Sequence, residues 1–178
     1  QTTVIPDGFE FNIMHRFGKI GIDDRLYKDF LGFDYPANIR FSLSYKLNER
    51  FYIGVGRTKI GKTIDVEGKY VLLRQTVDNS SPLSIAVFNN TGINTEPYSN
   101  YGQNTFFSDG TTPFINKFSH RVNYTTELIL SRKFSDKLSL QLSPTVVYKN
   151  LVFGYEEDHL TFVFPFSVVF NLAIIFFV

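Results

Sequence analysis

The sequence predicts an antiparallel up-and-down transmembrane β-barrel of about eight strands, and three observations carry that expectation. Apolar and polar residues alternate with a period of two along most of the chain. The connections between the alternating segments run long, short, moderate, short, very long, short, moderate, as in a barrel with turns at one end and loops at the other. Aromatic residues make up 17% of the 178 residues, with twenty Phe and ten Tyr, which suits strands and membrane interfaces. We read one domain, 1–178, with an atypical C-terminal part at 153–178.

Composition narrows the function classes. A net charge of +1 is no footprint for nucleic acid, so no nucleic-acid partner is expected. The absence of Cys excludes disulfides, thiolate metal sites and cysteine nucleophiles. Mean hydropathy of −0.06 excludes a helical bundle, which needs several apolar runs of about 20 residues. It permits a barrel, whose strands are apolar on one face only. The polar start Gln1-Thr2-Thr3 is what removal of a secretion signal would leave.

The first strand is Gly8–Gly18, with Phe9, Phe11, Ile13, His15 and Phe17 against Glu10, Asn12, Met14 and Arg16. After the connection Lys19–Tyr35, Pro36–Leu47 sets Ala37, Ile39, Phe41, Leu43, Tyr45 and Leu47 against Asn38, Arg40, Ser42, Ser44 and Lys46. A turn at Asn48-Glu49-Arg50 leads into Phe51–Arg57. Lys59–Lys62 is a loop, and Thr63–Gln75 returns with Ile64, Val66, Tyr70 and Leu72 against Asp65, Glu67 and Lys69. A turn cluster, Val77–Ser81, precedes a strand at Leu83–Asn89. Asn90–Phe118 is the longest irregular stretch, and His120–Ser131 resumes the alternation. Lys133–Asp136 turns into Leu138–Tyr148, and Asn150–His159 loops to the apolar Leu160–Val178.

This tail is long enough for a membrane helix, but Pro165 and the Phe, Val and Ile content favour a strand. Large Phe162, Phe164 and Phe166 alternate with smaller Val163, Pro165 and Ser167. Its last six residues fit neither one crossing nor two.

The polar face is expected to line the lumen with Arg16, Arg40, Lys46, Asp65, Glu67, Lys69, Arg121, Glu127 and Lys149. Both signs occur, so ion pairs can fill a narrow interior. Ile39, Phe41, Leu43, Leu128, Leu130, Leu140, Leu142, Phe162 and Phe164 are expected to face lipid. The competing reading is a soluble sheet with one solvated face.

One motif points elsewhere. Gly56-Arg57-Thr58-Lys59-Ile60-Gly61-Lys62-Thr63 matches the phosphate-cradling P-loop pattern. That mechanism needs a helix starting at Lys62-Thr63, whereas Thr63–Gln75 alternates with period two and contains Gly68. The match is therefore read as a strand end and turn. Gly54 and Gly56 are read as strand glycines where side chains would crowd the wall or lumen. His15, His120 and His159 fit no metal-ligand spacing, and no nucleophile elbow occurs. Asn123-Tyr124-Thr125 matches a glycosylation sequon but lies inside a strand. No catalytic residue, cofactor or metal is expected.

The segments His15–Gly18, Asn38–Tyr45, Ile53–Thr63, Lys69–Gln75, Ser131–Ser135 and Leu140–Val152 also carry a resemblance. In this order the chain resembles an uncharacterised outer-membrane β-barrel family of Bacteroidota over about its first 150 residues. The resemblance implies an outer-membrane barrel and no catalytic residues. Family members look longer, with further Gly- and Tyr-rich strands where Phe153–Val178 departs from the pattern. The expectation is a non-enzymatic barrel in a Gram-negative outer membrane, structural or accessory, with its lumen plugged by charged residues. Its partners would be the lipid bilayer and other outer-membrane or periplasmic proteins, and the external loops Lys19–Tyr35 and Asn90–Phe118 would engage a partner protein. A small-solute pore or transporter is the alternative, and a P-loop nucleotide-binding protein a remote one.

Overall fold

Side chains that alternate between large apolar and small or charged cannot form a helical stripe, but they sort cleanly onto the two faces of a sheet. The computed structural model describes residues 7–16, 38–97, 106, 109–115, 117–152 and 158–170, apart from the side chains of Arg16 and Phe170. These residues form one antiparallel sheet. In chain order its strands are β1 (Phe9–Arg16), β2 (Asn38–Asn48), β3 (Phe51–Thr58), β4 (Thr63–Leu73) and β5 (Ser84–Asn94). They continue as β6 (Val122–Lys133), β7 (Leu138–Leu142), β8 (Thr145–Lys149), β9 (Leu160–Val163) and β10 (Phe166–Phe170).

Each strand from β1 to β7 pairs with its neighbour in sequence, which is up-and-down topology. The ten strands make eight passes, because two passes are interrupted. β6 pairs with both β7 and β8, while β10 pairs with β7 and β9 with β8. The predicted strand Leu138–Tyr148 thus breaks at Ser143-Pro144, and the tail breaks at Phe164-Pro165. Proline cannot donate to a ladder, yet its carbonyl can accept. Leu128 N–H donates to Pro144 O at 2.9 Å and Ser143 N–H to Pro165 O at 2.9 Å, which carries the sheet across both breaks. The tail is strand, not helix, through Phe170; residues 171–178, and the puzzle of its last six, lie outside the described residues.

Two expectations about connections need correction. The irregular stretch predicted from Asn90 begins later, because β5 runs to Asn94. Asn90, Thr91 and Gly92 pair with Thr125, Tyr124 and Asn123 through backbone groups. Polar side chains on both faces hid this half of the strand. The sorting of connection lengths is also looser than predicted. The moderate loop is only residues 59–62, closed by a single 3-10 turn, whereas the supposedly short turn between β4 and β5 spans residues 74–83. Lys19–Tyr35 lies outside the described residues.

The sheet is open among the described residues, with β1 bonded only to β2 at one edge and β9 and β10 forming the other.

Candidate functional site

Arginine reaches about two strand spacings when its side chain lies flat along a sheet, provided nothing stands in the way. Arg40 of β2 does this. Its guanidinium passes over β3 to two carboxylates on β4, donating through Nε to Asp65 Oδ2 at 3.1 Å and through Nη2 to Glu67 Oε2 at 2.7 Å. A further bond joins Nη2 to Asp65 Oδ1. The contact is possible because β3 has no side chain beneath it. A β-carbon at Gly56 would lie 2.5 Å from Arg40 Nη2, and one at Gly54 would lie 3.0 Å from Glu67 Oε1 and Ser44 Oγ. The period of two puts both glycines on the charged face, where the register sets Gly54 beside Glu67 and Gly56 beside Asp65.

The cluster is closed by its neighbours. Asn90 Nδ2 donates to Asp65 Oδ1 at 2.7 Å, and Ser44 Oγ donates to Glu67 Oε1 at 3.4 Å. Arg40, Asp65 and Glu67 are only 5%, 4% and 4% exposed, so every charge here is paired away from solvent. Lys69, two residues on from Glu67 on the same face, is 2% exposed with Nζ 4.8 Å from the centre of the Tyr52 ring. Glu10, Glu67 and Glu127 stand near enough to act on its charge. Arg40 and Lys69 thus balance Asp65 and Glu67, the condition under which buried charge is tolerated.

Beyond Lys69 the same face turns apolar. Val71, Ala86, Phe88 and Ile129 form a buried cluster. Sequence reasoning missed it, because these residues sit in phase with polar ones. The available signal was that Val71 follows Lys69, Phe88 precedes Asn90 and Ile129 follows Glu127 by two positions each.

The remaining predicted residues of the charged face do not join the cluster. Lys46 pairs with Asp7 and, at 2.7 Å, with Glu49, both at the end of the sheet. Arg121 is buried in the 3-10 segment Phe118–Arg121 and donates to the carbonyls of Asn94, at 2.9 Å, and Glu96. It braces the end of β5. Lys149 is exposed at the end of β8, opposite Asn123. The side chain of Arg16 lies outside the described ones.

The other face is apolar and open. Phe41, Leu43, Leu128, Leu142, Phe162 and Phe164 are exposed, while Ile39, Leu130 and Leu140 are half-buried among neighbours. Aromatic pairs stand at both ends of this face. Phe9 and Tyr45 meet at 4.5 Å near one, and Tyr124 and Tyr148 at 6.4 Å near the other.

The P-loop match is a hairpin. Gly56–Thr58 ends β3, Lys62 closes the 3-10 turn Ile60–Lys62, and Thr63 opens β4 rather than a helix. Gly61 takes φ of +66°, the left-handed turn conformation that glycine favours. The Lys62 carbonyl accepts from Arg57 Nη1 at 2.9 Å, so this backbone is committed to the turn. The histidines are dispersed. His120 stacks on Phe114 at 5.4 Å, and the His159 ring is 2.7 Å from the Lys149 carbonyl. No group of three metal-ligating side chains occurs among the described residues.

Comparison with known proteins places these features. No curated protein and no solved structure matches the chain. A family model does, under the description "Membrane bound beta barrel domain (DUF5777)", over residues 1–173. The match continues past residue 150 into the tail that departs from the expected pattern. The family is an uncharacterised one and not a known enzyme family. With its up-and-down sheet, one charged face and one apolar face, the chain belongs to this family of membrane-bound β-barrel domains.

Proposed function

We propose that this protein is a non-conducting barrel of a Gram-negative outer membrane, with a structural or accessory role in a larger assembly. The observation that carries the reading is Arg40 lying across β3 onto Asp65 and Glu67, an ion cluster that occupies the inner face instead of lining an aqueous path. The apolar Val71, Ala86, Phe88 and Ile129 cluster supports it from the turn end. Eight passes enclose an interior that side chains just fill. In this reading Arg40, Asp65, Glu67, Lys69 and Glu127 face the lumen, and Phe41, Leu43, Leu128, Leu142, Phe162 and Phe164 face lipid. Partners are other outer-membrane or periplasmic proteins.

Planar-bilayer recording tests closure. The protein should give no steady current, and a stable open-channel conductance would overturn the plugged reading in favour of a small-solute pore or transporter. Extraction in mild detergent tests the accessory role. A stoichiometric envelope protein should co-purify, and its absence from an intact preparation would remove that part.

A further inference from the structure

The apolar face carries one interruption, at its centre. Asn89 is the middle residue of the eleven in β5, and its side chain points to the apolar face. Its register partners are Gly68 on β4 and Thr126 on β6. Beyond these stand Ile53 and Val146, and along β5 the same face shows Val87 and Ile93. A polar patch of Asn89, Thr91 and Thr126 is therefore ringed by apolar side chains in every direction.

Gly68 makes a groove beside this patch, walled by Phe51, Val66, Tyr70, Asn89 and Thr91. Unlike Gly54 and Gly56, it is not required by packing within the chain. A β-carbon there would meet nothing closer than Phe51 Cε2 at 3.6 Å, an ordinary contact, and its φ is not in the left-handed region. The missing side chain leaves room for something from outside.

On the reading above, this face lies in hydrocarbon, where polar groups find no partner in lipid. Asn89 Nδ2 donates one hydrogen to Thr126 Oγ1 at 2.9 Å, and Asn89 Oδ1 accepts weakly from Thr91 at 3.4 Å. Among the described residues, the second amide hydrogen of Asn89 and the hydroxyl proton of Thr126 meet no acceptor. We infer that the face centred on Asn89 and Gly68 is an in-membrane contact between two copies of this chain. A carboxamide is both donor and acceptor, so the patch is complementary to itself under a two-fold axis. The Gly68 groove and the Val66 and Tyr70 walls beside it supply groove and ridge on one surface, as an isologous contact needs.

The test uses the full chain in lipid vesicles. The chain has no Cys, so Ile53→Cys, beside the groove, and Leu142→Cys, on the same face but near the far edge of the sheet, are each a single thiol. A short bis-maleimide should join two copies through Ile53→Cys and not through Leu142→Cys. Adding Asn89→Leu or Gly68→Leu to Ile53→Cys should cut the dimer yield roughly tenfold, the order expected when a pair of hydrogen bonds is removed inside a membrane. Gly68→Ala, which fits the monomer, should show an intermediate reduction. Equal cross-linking at both thiols, a yield indifferent to Asn89 and Gly68, or capture only of a different protein in native membranes would overturn the contact. Added protease separates this from failure of the reading beneath it, because complete digestion of the strands shows that the face never lay in lipid.

Discussion

At Gly56 the absence of a side chain decides whether Arg40 can reach Asp65, so the residue scale is where the charged cluster is set. Gly56→Ala should cost about 1–3 kcal/mol, the range for overpacking a closed site, in a urea titration of the vesicle-bound protein. Gly68→Ala in the same assay should be neutral or mildly stabilising, because its β-carbon meets only open space and ordinary neighbours. Equal effects at the two glycines would contradict the packing described. Arg40→Met strands two buried carboxylates and should lose about 3–5 kcal/mol. Combining it with Asp65→Asn and Glu67→Gln should recover much of that stability, since the penalty comes from unpaired charge rather than from a missing contact. The charges themselves were legible from alternation alone. That three of them would meet was not, because the sequence separation of 25 and 27 residues says nothing about which glycine lies between.

At the scale of elements, connections are held by acidic side chains acting locally. The hydroxyls of Thr76 and Ser80 hold the Asp78 carboxyl below its usual range, and Thr112 does the same for Asp109. Lys133 lowers Asp136 in the turn between β6 and β7. A carboxyl whose folded pKa is depressed contributes stability above its unfolded pKa and loses it as pH falls through the folded one. Acidification through the carboxylate range should therefore loosen these turns before the sheet. Amide chemical shifts of Ser80, Thr111 and Thr112 should move together below about pH 4, with Asp78→Asn removing the change at Ser80 alone. The existence of each strand was the readable part, while limits shifted: β5 runs on to Asn94 and Leu138–Tyr148 breaks at Ser143-Pro144. Pro165 was visible as a residue that disfavours a helix, but the bond from Ser143 to its carbonyl across the ladder was not.

For the whole molecule the open edges are the constraint. A row of unpaired backbone groups is not tolerated in hydrocarbon, so β1 and the β9–β10 pass must be paired in the membrane. Eight passes make the first and last antiparallel, which allows them to close the barrel on each other. Hydrogen exchange in vesicles should show β1 and β9–β10 amides protected like those of β4. Fast exchange confined to the two edges would mean that the sheet stays open.

Alternation and aromatic content were enough to determine an antiparallel sheet with one apolar face, because a period of two and a one-sided apolar face are properties of each strand by itself. They also exposed the P-loop match as a turn, since a strand pattern cannot become a helix after Lys62. The tertiary structure decided how the charged face is organised. Cross-strand register brought Arg40 over Gly56 to Asp65 and Glu67, gathered Val71, Ala86, Phe88 and Ile129, and set Asn89 beside Thr126 on the apolar face. Register depends on turn geometry and on how facing strands pair, so the alternation along one strand did not reveal which side chains would meet.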